Sequence, residues 1–190
     1  LEETLALAAT TGPDRVALFG YAHMPRLLPR QRRIDATSLP DRAARFAQAQ
    51  LGHDILTELG YRTVGFDHFA KPHDALARAA AKNTLHRNFQ GFTDDTSRIL
   101  IGLGASAISQ FPGIILQNEK NVGHYRMRLS ADQLPATRGV TIGADDARRA
   151  QVIFDILCYG RARLTEDLLT PEAISQLAPF MDRQLAGYDG

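Results

Sequence analysis

Arg15-Val-Ala-Leu-Phe-Gly-Tyr-Ala22 decides the reading of the fold. It is a short, nearly continuous apolar run, the pattern of a strand buried on both faces. It ends in His23-Met-Pro25 and a basic, proline-containing loop through Arg33. Downstream, Ala43, Ala47, Leu51, Ile55 and Leu59 recur every four residues, which predicts a helix with one apolar face. Ser38 and Asp41 match a capping box at its start, and Gly60 supplies the stop. Tyr61-Arg-Thr-Val-Gly-Phe66 reads as a second strand, with Asp67-His-Phe-Ala-Lys-Pro72 as the loop behind it. Strand, helix, strand in this spacing predicts a βαβ unit, and so a parallel sheet. Chemistry in α/β sheets collects at the carboxyl ends of strands. That marks His23 and Asp67-His68 as candidates by position.

Outward from this unit, residues 1–11 read as the end of a helix closed by Gly12 and Pro13, and residues 74–82 as a short helix. Leu85-His-Arg-Asn-Phe-Gln-Gly-Phe-Thr93 is polar, aromatic and irregular. Ile99–Ser109 is strand-like, with small residues that let a partner approach the backbone closely. After Pro112 the character changes. Amphipathic patterns over 144–159 and, behind Thr170-Pro171, over 171–186 predict a small helical module. The organisation expected is an α/β portion, 1–112, and a mainly helical portion, 113–190. Leu1 is no initiator, and the last residues stop at an opening turn. A piece of a longer protein is expected.

Composition excludes several classes. Of 190 residues, 44% are hydrophobic and 23% charged, the averages of a globular domain rather than a disordered chain. A net charge of +1 gives no field for a polyanion, so nucleic acid is not expected as a partner. No apolar run approaches the ~20 residues that span a bilayer, and the first residues carry no signal-peptide pattern. A cytoplasmic location with no membrane partner is expected. The one cysteine, Cys158, rules out an internal disulfide framework and a cysteine-ligated cluster built from this chain alone.

The local motifs are mostly weak. Gly102-Leu-Gly104-Ala-Ser-Ala107 matches a dinucleotide loop, yet Phe111-Pro112-Gly113 breaks the chain where a phosphate-binding helix should begin. The six histidines form no HxH or HxxxH pair, so no metal site is expected. Ser106 and Ser109 lack a nucleophile elbow. Cys158, beside Leu157, reads as a packed small hydrophobe rather than a nucleophile. Three of the 22 basic residues are lysine and the rest arginine. Gln31-Arg-Arg33 and His86-Arg-Asn88 place planar forks in loops, suited to the carboxylates of an organic ligand.

Six blocks taken together carry a resemblance: Tyr21-Ala-His-Met-Pro25, Gln31-Arg-Arg-Ile34, Gly65-Phe-Asp-His-Phe-Ala70, Leu85–Thr93, Gly104-Ala-Ser-Ala-Ile-Ser109 and Gln117-Asn118. In order and spacing they resemble the second half of the oxygen-independent coproporphyrinogen III oxidases, radical S-adenosylmethionine enzymes of haem biosynthesis. The fold this implies is α/β: the last strands of a partial (β/α)6 TIM-like barrel with a truncated, mainly helical C-terminal domain. The activity it implies is oxidative decarboxylation of two propionates of coproporphyrinogen III to vinyl groups, giving protoporphyrinogen IX. A [4Fe-4S] cluster, fed by an electron donor, would cleave S-adenosylmethionine to the 5′-deoxyadenosyl radical that abstracts hydrogen from the propionate.

The resemblance assigns Ala22, Phe89, Gln90 and Ile108 to the binding of two S-adenosylmethionine molecules. Chemistry adds Tyr21, His23, Arg32, Arg33, His68 and Arg87 as candidates for the tetra-anionic tetrapyrrole. The cluster motif CxxxCxxC belongs to the first half and is not in this chain, so radical chemistry is not expected of the chain alone. A barrel divided between strands would also leave an unpaired edge through which the chain self-associates. The alternative is a non-catalytic haem- or porphyrin-binding relative with His23, His68 or His86 as an axial ligand.

Overall fold

In the computed structural model, which describes residues 1–165 and 167–187, the opening run yields only a short strand, β1 (Arg15–Ala17), behind helix α1 (Glu2–Thr10). Helix α2 (Arg42–Glu58) and strand β2 (Arg62–Val64) follow. β1 and β2 do not pair with each other. A further strand, β3 (His68–Ala70), lies between them and is antiparallel to both. β1 and β2 therefore run in the same direction, as a βαβ unit requires, but two antiparallel ladders replace the parallel one expected. The cause is local. Gly65, at φ +61, reverses the chain directly after Val64, so His68–Ala70 is the first segment able to pair with β2. His68 thus sits in a strand rather than in the loop predicted for it.

Helix α2 also starts later than its sequence cap suggested. Ser38 belongs to a 3-10 turn, and its hydroxyl donates to Asp35 O at 2.7 Å. Leu39 precedes Pro40, whose ring disfavours helical backbone before it, and Leu39 is extended at ψ 144. Asp41 is the true cap, its Oδ1 accepting from Ala44 N at 2.8 Å. The other end is as expected: Tyr61 N reaches Leu56 O and Gly60 N reaches Thr57 O, with Gly60 at φ +83.

Two apolar clusters hold this portion together. One joins α1, α2 and the sheet through Leu5, Leu56, Tyr61 and Phe69. The other gathers Val64, Ala70, Leu76, Leu85 and Phe92 under helix α3 (Ala75–Ala81). Leu157, Cys158 and Tyr159 from helix α5 (Ala144–Tyr159) pack against this second cluster. Tyr159 OH donates to Leu85 O at 3.1 Å.

The stretch predicted to be irregular is a β-hairpin of β4 (His86–Asn88) and β5 (Gly91–Thr93). Of the strand expected over 99–109, only its end forms one, β6 (Ile108–Phe111); Leu100 makes an isolated bridge to Gln110. β6 pairs with β7 (Ile114–Asn118), which pairs with β8 (Ala136–Thr141), all antiparallel. The β6–β7 hairpin crosses the division expected between residues 112 and 113. Helices α5 and α6 (Pro171–Met181) supply the two helices predicted there, but α4 (Val122–Ser130), β7 and β8 were not foreseen. Among the described residues, no helix is long and apolar enough to cross a membrane.

Candidate cofactor cleft

The β4–β5 hairpin turns through two residues, Phe89 and Gln90. Asn88 Oδ1 accepts from Gln90 N at 2.8 Å and fixes the turn, while Asn88 pairs with Gly91 in register. The side chains of Phe89 and Gln90 are left exposed at the mouth of a cleft of about 440 Å³. The opposite wall comes from Leu100, Gly102, Ser106 and Ile108. Phe89, Gln90 and Ile108, expected as cofactor contacts, therefore share one cleft. Ala22 is not part of its lining.

The opposite wall is built from backbone. A Cβ on Gly102 would lie 2.4 Å from Ile108 O, so only glycine fits against β6. Gly104 adopts φ +109 and Ser106 φ +61. β6 and β7 hold this loop through side chains whose function the sequence left unread. Buried Ser109 accepts from Gly102 N at 3.0 Å. Buried Asn118 donates to Gly104 O at 2.9 Å and Gly102 O at 3.2 Å. Gln117 Nε2 donates to Ser106 O at 3.1 Å, and Tyr125 OH accepts from Gly104 N at 3.2 Å. The available signal was Gln117-Asn118 following a glycine-rich run, because exposed carbonyls in such a loop need donors. No helix follows Ala107, so the dinucleotide motif has no phosphate-binding end there.

The Tyr21–Arg33 loop is organised by Gln31. Its Nε2 donates to Ala22 O at 3.0 Å and its Oε1 accepts from Met24 N. Tyr21 OH and His23 Nδ1 lie 3.2 Å apart. Arg32 Nε donates to Pro25 O at 3.3 Å; both Arg32 and Arg33 are exposed. The two remaining candidates face inward. His68 Nδ1 lies 2.6 Å from Asp67 Oδ1, and its ring meets Phe92 edge-on at 5.4 Å. The Arg87 guanidinium stands 4.8 Å from the Phe92 ring and 5.5 Å from Phe66, with Nη1 buried and unpaired. His86 packs beside Phe154 at 5.5 Å.

The chain is similar over nearly all its length to curated proteins. The oxygen-independent coproporphyrinogen III oxidase of Bradyrhizobium diazoefficiens is 38% identical, covering 99% of this chain and 44% of the relative. That of Cereibacter sphaeroides, from strain ATCC 17025, is 38% identical over 98% of this chain. The chain belongs to the oxygen-independent coproporphyrinogen III oxidase family. It spans somewhat under half the length of these relatives and corresponds to their C-terminal part. The Escherichia coli coproporphyrinogen III oxidase, described as a radical SAM enzyme, superposes with a TM-score of 0.84 at 34% identity, over 99% of this chain and 45% of that one. No family model matches the chain.

Within this family frame, the chain's own residues suit one of the two expected cofactors. The cleft volume lies within the roughly 300–1,000 Å³ of small-molecule sites. Its lining offers an aromatic face, an amide edge and a glycine wall open to close approach. An iron–sulfur cluster finds no such fit. Several thiolates are required, and the chain has one cysteine, packed against the second core cluster. Burial pushes the Cys158 thiol up and Asp155 pushes it further, against the opposing pull of Arg87. Among the described residues, no group of three His, Cys, Asp or Glu gathers as a metal site.

Proposed function

We propose that this chain is the cofactor- and substrate-supporting part of a coproporphyrinogen III oxidase that converts two propionates to vinyl groups, with its cluster held by the rest of the protein. β1 and β2 share a direction with α2 between them, as strands of a partial (β/α)6 barrel do, although the antiparallel β3 separates them in the sheet. The β6–β7–β8 sheet with α4, α5 and α6, which begins at Ile108 rather than at residue 113, would form the oxidase's C-terminal portion. The observation that carries the reading is the meeting of the Phe89-Gln90 turn with Ile108 of β6 in one cleft.

In this reading the cleft takes S-adenosylmethionine, which supplies a 5′-deoxyadenosyl radical when the cluster reduces it. Phe89 offers a ring face to a heteroaromatic ring, and the Gln90 carboxamide donates and accepts along a polar edge. Gly102 and Ile108 bring backbone and apolar surface close. Ala22, held by Gln31 outside this lining, belongs to the second S-adenosylmethionine molecule expected of the family. Arg32 and Arg33, exposed on the same loop with Tyr21 and His23, provide cations and hydrogen-bonding groups for the tetrapyrrole carboxylates. Arg87 is held beside the Phe66 and Phe92 rings, and its unpaired Nη1 keeps it a candidate for a substrate carboxylate. The porphyrin-binding alternative would need an open imidazole nitrogen: the His68 Nε2 edge faces Gly91 and His86 packs on Phe154, while His23, paired with Tyr21 through Nδ1, keeps Nε2 for a ligand.

Equilibrium dialysis on the full-length protein tests the cleft. Gln90→Ala is expected to weaken S-adenosylmethionine binding roughly fivefold, the effect of one lost hydrogen bond. An unchanged constant would remove the cleft from the binding site. The chain by itself, after anaerobic reconstitution, is expected to form no 5′-deoxyadenosine, and detection of that product would overturn the division of labour.

A further inference from the structure

Asp67 and His68 are partly buried and take no part in the cleft, although they stand beside the element that forms its mouth. A carboxylate only accepts hydrogen bonds, so at 2.6 Å the His68 Nδ1–H donates to Asp67 Oδ1 and fixes the ring plane. Asp67 is itself anchored, its carbonyl accepting from Leu18 N at 2.8 Å beside β1. The opposite edge of the imidazole is turned to Gly91. A Cβ at that position would lie 3.1 Å from His68 Cε1 and 3.2 Å from Nε2. Gly91 is buried at φ +141, a conformation glycine alone adopts readily, and directly follows the Phe89-Gln90 turn. Phe92, the next residue, meets the His68 ring edge-on. The turn therefore rests on the imidazole on one side, as Asn88 restrains it on the other.

We propose that Asp67 and His68 form a positioning dyad that fixes the Phe89-Gln90 turn through Gly91 and so sets the geometry of the cleft mouth. This role differs from the substrate contact that chemistry alone suggested for His68. The dyad orients the turn whatever the cleft binds. Its effect on S-adenosylmethionine affinity rests on the function proposed above.

Hydrogen exchange followed by mass spectrometry on the full-length protein, without ligand, reads the turn directly. His68→Ala is expected to speed exchange in the peptide covering residues 88–92 at least several-fold, leaving peptides over β2 and α3 at wild-type rates. Asp67→Asn, which keeps the side-chain shape and removes the charge, is expected to give a smaller change in the same peptide. Unchanged exchange at 88–92 in both variants overturns the proposal. Faster exchange spread through β2, α3 and the 88–92 peptide alike also overturns it, because His68 would then be merely structural. With the turn loosened, S-adenosylmethionine affinity is expected to fall roughly fivefold. If the 88–92 peptide responds while Gln90→Ala and His68→Ala both bind S-adenosylmethionine normally, the dyad stands and the cofactor reading of the cleft fails.

Discussion

Gly65 and Gly91 show how the core constrains single positions. Both have positive φ, but their surroundings differ. A Cβ on Gly65 would lie 2.1 Å from Phe92 Cζ, on a ring already packed in the second core cluster, whereas one on Gly91 would meet the His68 edge at 3.1 Å. Gly65→Ala combines left-handed strain with overpacking and is expected to cost about 3 kcal/mol or more. Gly91→Ala is expected to cost about 1–2 kcal/mol, mostly backbone strain. Urea titrations of the two variants rank them, and equal losses would refute the packing argument. The Cys158 thiol is raised chiefly by burial, so iodoacetamide is expected to modify it far more slowly at pH 8 than a free thiol, the difference vanishing in denaturant. A native rate matching the denatured one would mean the α5 end is open. Legibility at this scale was uneven. Cys158 as a packed hydrophobe followed from its place beside Leu157, and Phe89, Gln90 and Ile108 from the resemblance alone. No periodicity could place residue 89 opposite residue 108, because a tertiary approach joins them.

Among the elements, helices were the legible part. α5 follows its amphipathic pattern over 144–159, and α2 ends where Gly60 predicted. Its beginning was misread because Pro40 forbids a helix through Leu39, which leaves Asp41 as the cap. Asp41→Ala is expected to cost about 1 kcal/mol in thermal unfolding, and Ser38→Ala almost nothing; the reverse order would reinstate Ser38. The strands were harder to read for a physical reason. β2, β3, β4 and β5 are three residues each, too short for alternation to show, and β8 is exposed along nearly its whole length. What orders them is turns and long-range ties. Arg15 of β1 donates to both oxygens of Asp74, the cap of α3, at 2.9 and 3.0 Å, and reaches Asp94 at 3.3 Å. Burial works to raise the Asp74 carboxyl, but hydrogen bonds from Arg15 and Leu76 N, with the arginine's charge, outweigh it and hold it below the usual range. A depressed native pKa adds stability above the unfolded aspartate value, about 3.9, and loses it as pH falls through the native value. Since Arg15 is 45% exposed, screening limits the pair to about 1 kcal/mol or less. Asp74→Asn should therefore flatten the acid limb of the stability–pH curve below about pH 4. A limb as steep as wild type would show that other carboxylates govern it.

At the scale of the whole molecule, the same-direction βαβ arrangement was legible, while the third sheet was passed over: Ile114-Ile-Leu116 behind the Pro112-Gly113 turn carries a short strand signal, but β8, Ala-Thr-Arg-Gly-Val-Thr, is exposed and shows no apolar alternation to complete a sheet. The surface carries a further consequence. Phe19 is 75% exposed, Phe46 74%, Phe66 64% and Leu103 88%, and Leu27 adds another 75%. Several belong to segments that bear the candidate residues: Phe19 just before the Tyr21 loop, Phe66 between β2 and β3, and Leu103 in the cleft wall. Exposed apolar groups this large, where they adjoin, favour association over a free monomer. β1 and β2, at the two edges of their sheet, add backbone groups without strand partners in that sheet. Relatives more than twice as long as this chain have further sequence with which to cover such surface. The chain alone is therefore expected to sediment as concentration-dependent oligomers, and Phe19→Ser with Phe66→Ser to shift it toward monomer. Co-expression with the remaining part of a full-length relative should yield a soluble one-to-one complex at the expense of the oligomers. A single compact monomer of the unmodified chain at high concentration would refute the argument, because the exposed aromatics would then need no partner.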